Sequence, residues 1–435
     1  MKETEHQPWR NWSGYVRCTP QRTVHIEQEK QLADLIAARS EQGGPLRVVG
    51  SGHSFTPLVQ TEDTLVNLDG FQGLIHMDEG KGTAEVWAGT KLHALGEMLH
   101  EHGRAQENLG DINVQSIAGA ISTGTHGTGH AFPGIANQVI GLTFIDGRGR
   151  TWECDTFHNP ELFNAARVSL GSFGMISRVK LQTVPAYKLH YRSARASLDD
   201  CMGDLDSHIH NNRNFEFYWF PYSDRVQLKQ MNETEAEPSN IGWGKKFNDV
   251  VLENYAFWFL SETCRWLPRL CAPVSKLCAA MVGADERVDW SHRLYATPRL
   301  VRFQEMEYNV PRECFPDVVA EIRKLTAERK FRVHFPLECR FAAPDNIWLS
   351  PGYQRETAYI AVHMYRNMPW QEYFHAIEKI FLKYEGRPHW GKWHSLTGKQ
   401  LAERYPKWSE FQGFRKELDP NGLFLNPHLR RLMDL

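Results

Sequence analysis

The chain runs to 435 residues with 50 Lys and Arg against 52 Asp and Glu, and is 41% hydrophobic and 12% aromatic. That length is more than one core organises and predicts two domains or three, while the aromatic content excludes a disordered chain. A net charge near zero argues against nucleic acid or another polyanion as a partner.

Met1–Gln7 is polar and lacks the apolar segment of a signal peptide, and no run of about 18 apolar residues is present to span a membrane as a helix. Behind a Trp-rich lead (Trp9, Trp12), Thr23–Arg39 has helical spacing with Leu32, Leu35 and Ile36 apolar. Leu46–Gly50 is a short strand, followed by strand-like runs at Thr64–Leu68, Gly73–Met77 and Ala84–Ala88. Leu92–His102 reads as an amphipathic helix closed by Gly103. Val139–Asp146 and Thr151–Cys154 form a hairpin, and Leu170–Val179 is a glycine-punctuated entry to a strand ending near Pro185. This first part is α+β.

From Tyr187 to about His389 the character changes. Phe215–Phe220 and Val226–Met231 alternate as antiparallel strands, and Asn232–Lys246 is a polar surface loop. Tyr255–Val282 is an aromatic helical segment interrupted by Glu262, Arg265, Arg269 and Lys276. It packs on its own domain or faces a membrane surface or a partner, packing being the preferred reading. Strands at Glu305–Val310, Arg332–Phe341, Ile347–Leu349 and Ala358–Tyr365, with helices at Glu313–Lys330 and Pro369–Leu382, predict an open sheet backed by helices. A pocket is expected where that sheet faces the first domain. The tail is helical, turn-rich and expected to return to the first domain.

The eight cysteines include no C-x-x-C pair, and read as reduced thiols of a cytoplasmic protein. Cys264, Cys271 and Cys278 fall seven apart and predict a buried stripe on one helical face. Ligands two turns apart cannot share one ion, so no metal is expected; Pro268 and Pro273 weaken even the helix.

Two loops carry the chemistry. Val48-Val49-Gly50-Ser51-Gly52-His53-Ser54-Phe55 leads a strand into a turn with glycine on either side of a serine, then a lone histidine. Glycine permits positive φ and close backbone approach, so such a loop can wrap an anionic ligand and hold His53 beside it. About seventy residues later, Ser116–Gly129 interleaves small residues with hydroxyls: a poor strand and a poor helix, but suited to a pyrophosphate. Neither loop is a Rossmann or Walker A signature, so a nicotinamide dehydrogenase is poorly supported.

Val49-Gly50-Ser51-Gly52-His53-Ser54, Ser116-Ile117-Ala118-Gly119-Ala120, Gly124-Thr125-His126-Gly127-Thr128-Gly129, His389-Trp390-Gly391-Lys392 and Asp419-Pro420-Asn421-Gly422 together resemble the sugar-lactone and alditol oxidases of the vanillyl-alcohol-oxidase-type FAD family. The resemblance covers nearly the whole chain, most weakly across 190–300. It implies a two-domain α+β flavoprotein: a PCMH-type FAD domain over 1–187, a substrate cap over 188–390, and a C-terminal segment, 391–435, that returns to the FAD domain. It implies FAD bound covalently through an 8α-histidyl link to His53, cradled by Val49, Gly50, Ser51, Gly52, Ser54, Gly110, Asp111, Ser116, Gly119, Thr123, Gly124, Thr125, His126 and Ile176.

Four positions match the family's active-site residues: Glu338, Arg340, His363 and Lys392. Strand period puts Glu338 and Arg340 on one side. By the resemblance, Arg340 stabilises negative charge at the flavin edge, Glu338 binds substrate hydroxyls, and His363 and Lys392 surround the reacting hydroxyl. Which group accepts the proton stays open. The implied reaction is oxidation of the C2 hydroxyl of an L-gulono-, L-galactono- or D-arabinono-1,4-lactone, with hydride passing to FAD and O2 returning H2O2, as in ascorbate biosynthesis. Tyr365 replaces a smaller hydroxyl residue of the alditol oxidases and Asp111 a serine, which favours a cyclic lactone over a linear polyol. Gly110 leaves room for O2 and favours an oxidase over a dehydrogenase. An alditol or oligosaccharide oxidase, a lactone dehydrogenase with another acceptor, and a non-catalytic flavin-binding or membrane-docked protein built around Tyr255–Val282 are the alternatives.

Overall fold

Three large sheets carry the fold in the computed structural model, which describes residues 1–239, 243–297 and 300–435, with backbone alone for 243–253. The first sheet orders Lys2–Glu5, Arg22–His25, Thr64–Asn67 and Leu46–Val49, its last three strands parallel. The second is antiparallel: Thr151–Asp155, Val139–Asp146, Gly174–Gln182, Thr83–Trp87 and Leu74–Asp78. Buried Arg47 ties the first sheet to its surroundings by donating to the carbonyls of Leu58 (2.8 Å), Leu170 (2.9 Å) and Gly171 (3.0 Å). With the Phe424 carbonyl, these make four acceptors on one desolvated guanidinium and satisfy what burial would otherwise leave unpaired; that burial lowers its pKa to about 10.

The third sheet has eight strands, in the order Asp285–Trp290, Lys188–Ser197, Arg225–Thr234, Asn214–Trp219, Leu337–Ala342, Thr357–Tyr365, Phe303–Pro311 and Arg387–Pro388, every neighbouring pair antiparallel. Helices Phe315–Arg329 and Gln371–Lys383 cover one face, where Phe315 meets Phe341 edge-on (5.1 Å) and Tyr308 stacks on Phe381 (5.1 Å). Because side chains alternate across a strand, the residues between those apolar ones point the other way. That opposite face carries Glu216, Tyr218, Glu305, Glu307, Glu338, Arg340 and His363, and it becomes one wall of the site.

Several expectations are corrected. Thr23 lies in a strand, and the first helix begins at Glu29, since Arg22–Thr23-Val24-His25 is β-rich and pairs with Thr64–Asn67. Ile347–Leu349 is a turn organised by Asp345, which accepts from the Ile347 N–H (2.9 Å). Ile117–Ser122 is a short helix inside the stretch expected to be irregular. Of the expected loop Asn232–Lys246, residues up to Thr234 extend a strand and those from Trp243 begin a helix, while 240–242 lie outside the described residues.

The aromatic segment is a broken helix: Trp243–Trp266, a 3-10 turn Pro268–Leu270, then Cys271–Met281. One side is packed, with Cys264, Cys271, Val274 and Cys278 buried; the other exposes Tyr255, Phe259 and Trp266. The expected single cysteine face is corrected too. The turn that Pro268 imposes brings Cys271 back beside Cys264, so separation along an unbroken helix no longer keeps their sulfurs apart.

The tail contacts the first part of the chain at several points. Leu46 and Gly147 donate to the carbonyls of Leu423 (2.8 Å) and Leu418 (2.9 Å), and Phe55 to that of Gly391 (2.6 Å). Among the described residues no helix is long and apolar enough to cross a membrane.

Candidate active site

The His53 turn follows the strand Leu46–Val49 and lies against the Ser116 segment. A Cβ on Gly50 would come within 2.3 Å of the Ser116 Oγ, and one on Gly119 within 3.0 Å of the same atom, so the two loops touch at a distance only glycine allows. Gly52 has φ +67°, the left-handed region. Between the loops lies a cavity of about 980 Å³, lined by Val49, Gly50, Ser51, Gly52, His53, Ser54, Ser116, Gly119, Thr123 and Ile176, together with Trp9, Gly171 and Gly174. His53 stacks on Trp12 (5.4 Å, 22°), and its Nδ1 is buried with no hydrogen-bond partner. Burial, then the Lys392 charge, lowers its pKa to about 4, so the imidazole is neutral with a free lone pair.

A glycine and serine cradle with an orphaned imidazole nitrogen at its mouth fits FAD.

A second cavity, about 640 Å³, continues from His53 and Ser54 and is lined by Gly110, Asp111, Thr123, Thr125, His126, Glu338, Arg340, His363 and Lys392. The structure therefore gathers all four expected catalytic positions around one space. Gly124 is the exception among the expected cradle residues. It lines neither cavity; its φ of +74° makes a turn packed on Pro351 and Trp390. Tyr365, expected to reshape the pocket, instead donates its hydroxyl to Glu262 of the broken helix.

The wall is built by register. Glu216 sits opposite Arg340, Tyr218 opposite Glu338, and Glu305 opposite His363. Arg340 Nε donates to Glu216 Oε2 (2.8 Å) and its Nη2 pairs with Glu338, which also accepts from the Tyr218 hydroxyl (2.6 Å). Burial alone would lower the Arg340 pKa, but Glu338 and Glu216 outweigh it and raise it well above its ordinary value. The guanidinium is a fixed cation.

Glu305 is salt-bridged to Lys392, and its Oε1 is 3.5 Å from His363 Nε2. Burial raises the Glu305 carboxyl, but Lys392 and His363 outweigh it and leave it at about 2. His363 Nδ1 lies 3.0 Å from the Pro336 carbonyl, an acceptor only, which assigns the ring proton to Nδ1. Nε2, on the other side of the ring, faces the Glu305 carboxylate. Next along the strand, Glu307 Oε1 meets His126 Nε2 (3.2 Å), while His126 stacks on Tyr359 (3.5 Å). Burial pushes the Glu307 carboxyl up, but His126 and His389 outweigh it and hold it well below its usual value.

Glu305, Glu307, Glu216 and Tyr218 were not among the expected site residues. The signal was present for two of them. Glu305 and Glu307 alternate with Met306 and Tyr308 along one strand, the same i, i+2 pattern that marked Glu338 and Arg340.

Residues 179–432 match the family model described as D-arabinono-1,4-lactone oxidase, more than half of the chain. The chain belongs to that family. Residues 20–155 match the FAD-binding domain model. The chain is 38% identical over 426 residues to an L-gulono-1,4-lactone dehydrogenase of Mycobacterium tuberculosis, covering 98% of this chain and 99% of that one. It is 32% identical over 432 residues to the L-gulonolactone oxidase of Mus musculus, covering 98% of each. Among solved structures, cholesterol oxidase from Brevibacterium sterolicum superposes with a TM-score of 0.84 at 15% identity, over 99% of this chain and 97% of that one, which shows the shared fold. The protein is thus a two-domain, vanillyl-alcohol-oxidase-type FAD oxidoreductase of the sugar-lactone oxidase family.

Proposed function

We propose that this lactone-oxidase family member oxidises the C2 hydroxyl of an aldono-1,4-lactone in the cavity between His53 and the Glu338–Arg340 wall. The observation that supports this most is the convergence of Arg340, Glu338, His363 and Lys392, from two strands and the tail, on the cavity that continues from the cradle. In this reading, residues 1–187 and 391–435 form the FAD-binding part and 188–390 the cap. When bound, FAD supplies the hydride acceptor and passes the electrons on, here to O2 with release of H2O2.

The protein positions the substrate and moves its proton. His363 Nε2 is the proton acceptor. The Glu305 carboxylate beside Nε2 stabilises the base once it holds the hydroxyl proton. Glu338, already committed to Arg340 and Tyr218, binds substrate hydroxyls instead. Arg340 presents fixed positive charge to the developing negative charge. His53 anchors the cofactor covalently: its buried, partnerless Nδ1 and neutral ring support an 8α-histidyl bond. All eight cysteines are free thiols, in keeping with a cytoplasmic enzyme.

A panel of L-gulono-, L-galactono- and D-arabinono-1,4-lactones against alditols, read by O2 consumption and peroxide formation, tests the substrate class. Turnover of alditols alone refutes the lactone reading. Acid precipitation tests the link: yellow colour stays in the pellet, and His53→Ala releases it to the supernatant. The mycobacterial relative's name supports a second reading, a dehydrogenase with another acceptor. In that case lactone reduces a dye but consumes no O2.

A further inference from the structure

Away from the reacting groups, the broken cap helix holds a cluster that the chemistry above does not use. Helix Trp243–Trp266 stops because Pro268 cannot continue it, and the 3-10 turn Pro268–Leu270 returns the chain so that Cys271 meets Cys264. His334, from the segment leading into the Glu338 strand, is the third member. Ligand atoms of the three side chains all lie within 4.8 Å of one another. Cys264, Cys271 and His334 are 0%, 1% and 0% exposed.

The imidazole is oriented. Nε2 lies 2.9 Å from the Ser261 hydroxyl, while Nδ1 is buried and has no hydrogen-bond partner. A buried nitrogen left in that state is unfavourable, and a ligand bound there would offset the cost. Two thiols and an imidazole are the soft donor set of a zinc-type ion, with bonds of about 2.3 Å to sulfur and about 2.0 Å to nitrogen. Such bonds place donor atoms on the order of 3.5–4 Å apart in a tetrahedron, within reach of side chains already gathered inside 4.8 Å.

We propose that Cys264, Cys271 and His334 form a binding site for a soft divalent cation of the zinc type, with a fourth position for water. Binding displaces both thiol protons: one divalent ion and two thiols give a dithiolate complex and two protons. The product carries no net charge, which is why so enclosed a site can accept a divalent ion. The site would staple both cap helices to His334–Leu337, the segment whose Pro336 carbonyl orients His363.

Flavin-loaded enzyme is freed of metal with EDTA, given zinc, dialysed, and examined by metal analysis and zinc X-ray absorption. The expected result is one zinc per chain with two sulfur neighbours at about 2.3 Å. Cys264→Ser and Cys271→Ser should each weaken zinc retention at least about tenfold, with Cys314→Ser, outside the cluster, unchanged. The absorption measurement needs no variant, so it stands even where a substitution prevents folding. A shell of oxygen and nitrogen alone, failure of the wild type to retain zinc, or loss of two hydrogens by intact mass (the two thiols joined as a disulfide) each overturns the proposal.

Discussion

Arg340 is 9% exposed and held between two carboxylates by a hydrogen bond from Nε and an ion pair from Nη2. Lysine carries the same charge but not the fork, and cannot reach both partners with fixed geometry. Arg340→Lys is therefore expected to slow lactone-dependent flavin reduction by about 100-fold or more, measured anaerobically by loss of flavin absorbance. Gly110 poses a different residue-scale question. A Cβ there would lie 2.9 Å from the His126 backbone carbonyl oxygen, closer than side chains tolerate, so backbone must shift to admit it. If Gly110 keeps the path for O2 open, Gly110→Ala lowers O2 turnover about tenfold more than dye reduction. Equal loss of both would mean that only packing was disturbed.

At the scale of elements, one buried side chain organises a turn in the tail. Asp419 is 0% exposed and accepts from the backbone N–H groups of Leu423 (2.8 Å) and Phe424 (2.9 Å), organising the turn that lets Leu423 bond to Leu46. Asp419→Ala leaves two buried donors unpaired and should cost on the order of 2–4 kcal/mol, read as a lower denaturation midpoint in urea with an unchanged slope. The elements were legible in the sequence wherever the period was strong. Val139–Asp146 and Leu92–Glu101 stand close to where alternation or helical spacing put them, while the Glu338 strand begins at Leu337 and not at Arg332. The Thr23 and Ile347 segments were misread for a physical reason. Short runs of β-branched and apolar residues carry no decisive period; pairing with Thr64–Asn67 decided the first, and the nearby Asp345 carboxylate decided the second.

Across the whole molecule, burial sets the response to acid. His389 is 5% exposed, and its Nδ1 accepts from the Gly391 N–H (3.0 Å). Desolvation lowers its pKa from 6.5 to about 3. Between those values the unfolded chain binds a proton that the native protein does not. Stability is therefore full above about pH 6.5 and falls as the pH drops towards 3. His389→Asn keeps an acceptor for Gly391 but removes the titration. Between pH 7 and pH 4.5 it should lose less stability than the wild type, by on the order of 2 kcal/mol. Glu305 and Glu307, also held low, keep some acid sensitivity in both proteins, so the difference isolates His389.

The sequence alone determined what is local: a glycine turn presenting His53, a second small-residue loop able to approach it, and Glu338 and Arg340 on one face of a strand. Backbone conformation and side-chain period act over a few residues, and those residues are contiguous. Only the tertiary structure decided what depends on partners brought from afar. It set Glu305 opposite His363, clamped Arg340 between Glu216 and Glu338, turned Tyr365 away to Glu262, and returned Cys271 to Cys264 beside His334. Charge states belong to that second class as well. Whether a buried carboxylate stays ionised depends on which cation the fold packs against it, and no spacing within one strand carries that information.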